Sequence, residues 1–128
     1  MSHPSVLTIE ELTLVRDSIL LFLLISVVEK NRSDLKYSDM SLKQLFIAST
    51  DLVLDLIKKD YLSTKTSLKK SGIKVIEVDG DANSLKFEIY FRGYQERFQI
   101  MKFLVKSQLG VALGNYAKRA EELIRLRK

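Results

Sequence analysis

The sequence has no cysteine, no tryptophan, a single histidine and a single proline among its 128 residues. Without cysteine, the chain can form neither disulfide bonds nor thiolate metal sites. The one histidine, His3, cannot supply a two-histidine metal pair, and its place near the start of the chain disfavours a catalytic serine–histidine pair. Glycine-rich phosphate loops and nucleophile elbows are also missing. We therefore predict no catalytic activity, no metal site and no cofactor.

Long apolar runs are missing too. The most apolar stretch, residues 19–25, is extended past Ser26 by Val27 and Val28, and a membrane-spanning helix needs about 20 apolar residues. Acidic residues precede this stretch, where a signal peptide has basic ones. We predict a buried helix here, no transmembrane or targeting segment, and a cytoplasmic protein.

The charge that is present is unevenly distributed. The net charge is +5, but residues 1–57 hold five basic and eight acidic side chains, whereas residues 58–128 hold sixteen and eight. A basic half suits an acidic partner, either nucleic acid or an acidic protein, although a solvated lysine-rich surface explains it as well. The densest basic cluster comprises Lys58, Lys59, Lys65, Lys69, Lys70 and Lys74.

Periodicity predicts two helices in the first half of the chain. Residues 1–7 form a flexible tail, and Thr8 with Glu11 forms a capping box for a helix over residues 9–30. Residues 20–25 are apolar on all sides, so this helix has to be covered on all sides. Ser41, with Gln44, caps a second helix over residues 41–71, which the Ser- and Thr-rich residues 63–67 could break.

The period then changes from helical to two. Residues 73–78 and the alternating residues 85–92 predict a β-hairpin over residues 73–92. The turn between them begins like a calcium-binding loop, but Ser84 and Tyr90 stand where such a loop needs glycine and glutamate. A basic helix followed by a hairpin resembles the recognition helix and wing of winged-helix DNA-binding domains, although the short paired helix that should come first cannot be placed.

Residues 94–127 are predicted to form one long helix. Gly110 and Gly114 lie one turn apart within it, which favours close packing against another helix or a kink near residues 110–115. A helix of this length would exceed the diameter of so small a domain, about 30 Å, unless it bends, projects or is covered by a partner.

The predicted fold is α+β and mostly α: helix, helix, β-hairpin and a long C-terminal helix in a single domain. We predict a non-enzymatic interaction or regulatory protein that forms a homodimer or larger homo-oligomer. The alternatives are a small DNA-binding regulator that uses the six lysines, and an enzyme whose site forms between subunits. The predicted oligomer interface comprises Leu109, Gly110, Leu113, Gly114 and Tyr116.

Overall fold

The computed structural model describes residues 6–39 and 41–126. Its six elements, in chain order, are helices α1 (Ile9–Lys36) and α2 (Lys43–Lys70), strands β1 (Ile73–Val78), β2 (Ser84–Phe91) and β3 (Tyr94–Met101), and helix α3 (Lys102–Leu126). The three strands form one antiparallel sheet in the order β1-β2-β3. The predicted class, α+β and mostly α, is confirmed.

Helix α1 begins at the predicted capping box. The Thr8 hydroxyl accepts a hydrogen bond from the Glu11 amide at 3.1 Å, and the Glu11 carboxylate accepts one from the Thr8 amide at 2.8 Å. The helix continues six residues past the predicted end at residue 30, and Arg32 in these last turns forms an ion pair with Asp51 of α2. Leu7, assigned to the flexible tail, is buried instead, while residues 1–5 lie outside the described part.

Helix α2 is continuous where a break was considered. The Thr64 and Thr66 hydroxyls donate to the carbonyl oxygens four residues earlier, at 3.0 and 2.9 Å, so they bond within the helix and do not interrupt it. The predicted Ser41 cap is wrong. The chain enters the helix through Leu42, which has a left-handed backbone (φ 61°) and makes no side-chain cap, and the first helical residue is Lys43.

The predicted hairpin is confirmed as β1 and β2, with Ile73 opposite Phe91. The Asp81 carboxylate accepts hydrogen bonds from the Asn83 and Ser84 amides, both at 2.9 Å, and so organises the connecting turn. This role agrees with the prediction that residues 79–84 form a turn and not a calcium loop.

The prediction of a helix from residue 94 onwards is wrong, because residues 94–101 form the third strand. Phe98 pairs with Phe87 across β2 and β3, and the two strands are joined by the two-residue turn Arg92–Gly93. Both turn residues have positive φ, 49° and 78°, as a type I′ hairpin turn requires. Helix α3 therefore has 25 residues, about 38 Å, and runs without interruption through residues 110–115.

Two apolar clusters hold these elements together. The inner face of the sheet packs on the first half of α1, around residues such as Val15, Ile19 and Ile89. The second half of α1 packs with α2 and α3, around Leu24 and Ile57. Most of the apolar stretch of α1 is therefore covered within one chain, by the sheet at one end and by α3 at the other.

Candidate functional site

One side of helix α3 faces away from the rest of the molecule and carries both glycines. A Cβ atom added to Gly110 or Gly114 would meet no atom within 4 Å. Phe103 lies seven residues before Gly110 on the same side of the helix, and Val111 lies at the edge of this side; the two are 67% and 66% exposed. We refer to Phe103, Gly110 and Gly114 as the glycine face.

The five predicted interface residues are thus divided between two sides of α3. Leu109, Leu113 and Tyr116 point inward and pack against the second core cluster. Gly110 and Gly114 point outward into open space. The close helix contact predicted for the glycines is therefore not made within one chain, among the residues that the structure describes.

A polar network that sequence reasoning missed joins α2 to α3. The Tyr116 hydroxyl donates to Asp60 Oδ2 at 2.6 Å, and Arg119 donates to the same oxygen at 2.9 Å. The Arg119 guanidinium also lies over the Tyr116 ring, 4.9 Å from its centre. The network borders a cleft of about 470 Å³ between the three helices, into which Asp17 of α1 also projects.

The ionisation of this network follows from its contacts. Burial raises the pKa of Tyr116 to about 12, and the hydrogen bond to Asp60 acts in the same direction. Burial also raises the pKa of Asp60, but the hydrogen bonds from Tyr116 and Arg119 outweigh it and hold this pKa below its ordinary value. Burial raises the pKa of Asp17. At neutral pH Asp60 is ionised and Tyr116 is protonated, so this pair stabilises the α2–α3 contact and is poorly matched to proton transfer.

The six predicted nucleic-acid contacts are distributed over two sides of α2 and strand β1. Because α2 is continuous, the helical period places Lys58, Lys65 and Lys69 along one side, and Lys59 and Lys70 roughly 100° around the helix. Lys58 pairs with Glu29 at 3.6 Å. The sixth lysine, Lys74, belongs to β1.

Three of these lysines border a groove between α1, the end of α2 and the sheet. Lys65, Lys69 and Lys74 line it, and its volume is about 680 Å³. Glu77 is the single carboxylate among the lining residues. We call this feature the lysine groove.

Over residues 6–39 and 41–126, no three histidine, cysteine, aspartate or glutamate side chains come together as a metal would require. In the same part of the chain, no helix is long and apolar enough to cross a membrane.

The comparisons with known proteins give a family. A family model described as YhjD protein matches residues 6–121, which is most of the chain. The chain belongs to the YhjD family. The YhjD match takes in all of α1, α2 and the sheet, and it includes the glycine face, the α2–α3 network and the lysine groove. No curated protein and no solved structure matched the chain.

Proposed function

We propose that this YhjD-family chain is a non-enzymatic interaction protein that associates with copies of itself through the glycine face. The observation that carries the proposal is the open space beside Gly110 and Gly114, flanked by the exposed side chains of Phe103 and Val111. Without side chains, the two glycines let the backbone of another helix come close, while the flanking phenylalanine and valine supply apolar area for it to cover.

The energetic cost of the glycines supports a role outside the monomer. A glycine in a helix interior costs about 1 kcal/mol relative to alanine. Within the described part of the chain, no atom lies close enough to clash with a Cβ atom at either position, so packing in the monomer does not require glycine there. Two such residues one turn apart, with no reason for them in the monomer, are accounted for by a contact that forms only on association.

The total surface of the chain supports the same proposal. The chain exposes 9054 Å², whereas a compact monomer of 14.7 kDa exposes about 6,900 Å². Allowing about 1,300 Å² for the eight residues outside the described part, the most that an extended chain could contribute, still leaves an excess of about 850 Å². A typical protein–protein interface removes about 800 Å² from each partner, so the excess is enough for one.

A pair of leucine variants tests the glycine face. Gly110→Leu inserts a large side chain at the proposed contact, and Gln108→Leu adds the same side chain elsewhere on the exposed surface of α3. Sedimentation velocity of both variants should show that Gly110→Leu weakens self-association and that Gln108→Leu does not. If both variants associate as the wild type does, the glycine face is not the interface.

Nucleic-acid binding by the six lysines stays a prediction. A mobility shift with duplex DNA that persists at about 0.2 M salt and depends on sequence would favour it, because purely electrostatic binding weakens steeply with salt. Absence of binding to duplex or single strands at about 50 mM salt would eliminate it.

A further inference from the structure

The lysine groove has an apolar floor. Ile19, Leu68, Ile73 and Phe87, which line it, are buried members of the first core cluster and come from α1, α2, β1 and β2. Because the floor is built from four different elements, it is a fixed part of the fold and not a gap beneath one loop. Its volume, about 680 Å³, is in the range of sites that enclose small molecules.

The groove carries basic and apolar side chains close together. Lys65 and Lys69 lie one turn apart on α2, and Lys74 follows on β1 after the turn at Gly72. No ion pair links any of these three lysines to a carboxylate in the described part of the chain. Leu62, which is 66% exposed, lies three residues before Lys65, about 4.5 Å along α2, and extends the apolar lining of the groove.

The remaining apolar wall is aromatic. The Phe22 ring of α1 lies 6.2 Å from the Tyr61 ring of α2, and both rings line the groove. Phe22 is 46% exposed. A ligand that covered this wall would remove apolar surface from water while its charged end reached the lysines.

We propose that the lysine groove binds a single-chain anionic amphiphile, of the class of a long-chain alkyl carboxylate. The alkyl chain lies along the exposed faces of Phe22 and Leu62, above the buried floor, and the carboxylate meets Lys65, Lys69 and Lys74. Nucleic acid fits this groove less well, because Lys59 and Lys70 lie on another side of α2 and because the floor is apolar. This site is separate from the glycine face and does not depend on self-association.

Calorimetric titration of the full chain with three probes tests the site. Dodecanoate carries both the chain and the negative charge, acetate carries the charge alone, and dodecyltrimethylammonium carries the chain with the opposite charge. We expect one dodecanoate per chain, no measurable binding of acetate, and at least about tenfold weaker binding of the cationic amphiphile. Equal affinity for the two amphiphiles, or no binding of dodecanoate, would overturn the proposal.

Two matched double variants locate the site. Lys65→Glu with Lys69→Glu reverses the charge at the groove, and Lys59→Glu with Lys70→Glu makes the same change on another side of α2. All four lysines are exposed, so both variants should fold, which circular dichroism checks. Dodecanoate affinity should fall about tenfold in the first variant and less than about twofold in the second. Equal losses of dodecanoate affinity in the two variants would mean general attraction to a basic helix and would refute the site. Binding of duplex oligonucleotide in place of dodecanoate would assign the groove to nucleic acid and would also refute it.

Discussion

Replacing Gly110 and Gly114 by alanine, singly and together, should change stability and self-association in opposite directions. A Cβ atom at either position has no neighbour within 4 Å in the monomer, so the added methyl group meets no steric obstacle. Alanine in a helix interior is favoured over glycine by about 1 kcal/mol, and the double variant should therefore gain about 2 kcal/mol in free energy of unfolding.

Association should respond differently to the same two methyl groups. At a close helix contact, an extra methyl group forces the helices apart, and overpacking of this kind costs about 1–3 kcal/mol. Each substitution should accordingly raise the dissociation constant about tenfold or more. A helix contact that tolerated the methyl groups would have no need of glycine.

The two effects are measured separately. Urea denaturation at a concentration low enough for the monomer to predominate gives the stability, and sedimentation velocity over a concentration series gives the association. Gln108→Ala, on α3 but away from the glycine face, is the control for helix propensity. A stability gain with unchanged association would refute the role of the glycine face. A loss of stability would show that the added methyl groups do meet neighbouring atoms in the monomer.

Three further predictions concern the monomer. Tyr116→Phe removes the hydrogen bond to Asp60, whose side chain is 39% exposed, and should lower the free energy of unfolding by about 1–2 kcal/mol in urea denaturation; no loss would mean that the bond does not stabilise the α2–α3 contact. The folded-state pKa of Tyr116 is raised to about 12, so the contribution of Tyr116 to the free energy of unfolding is complete below the unfolded-state pKa near 10 and is lost as the pH rises from about 10 to about 12. The Tyr116→Phe variant should lose less stability than the wild type between these two pH values. Identical dependence of stability on pH in the two proteins would contradict the raised pKa. Leu42→Gly should raise the free energy of unfolding by about 1 kcal/mol, because the Leu42 side chain is exposed and its backbone is in the left-handed region, which glycine adopts more readily. A lower urea denaturation midpoint would show that the leucine side chain is needed.

Local sequence signals predicted the elements that depend on local physics. The capping box at Thr8 and Glu11 fixed the start of α1, because its hydrogen bonds are made within one turn. The alternation of Phe87, Ile89 and Phe91 revealed β2, because those residues face the core from a sheet whose other side is more exposed.

Strand β3 could not be predicted in the same way. Its Gln95, Glu96 and Arg97 suit helices, and the spacing of Phe98, Met101 and Val105 matches a helical period across the strand–helix junction. Pairing with β2 overrides these preferences. The turn Arg92–Gly93 also lacks the Asn-Gly or Asp-Gly pair that marks a type I′ hairpin.

The candidate sites were visible only in part. The glycine pair was found from spacing, but grouping it with Leu109 ignored the rotation of about 100° that separates neighbouring helical residues. The hydrogen bond between Asp60 and Tyr116 joins residues 56 positions apart, and no local pattern indicates it. The lysine groove depends on four elements meeting, so the sequence could give its lysines but not its floor.

The mass of the wild-type chain in solution tests the central claim most directly. Light scattering coupled to size-exclusion chromatography, over loading concentrations of about 1–100 µM, covers the affinity range expected for an interface of ordinary size. Self-association predicts a mass that rises to at least twice 14.7 kDa within this range. A constant mass of 14.7 kDa at every concentration would contradict it.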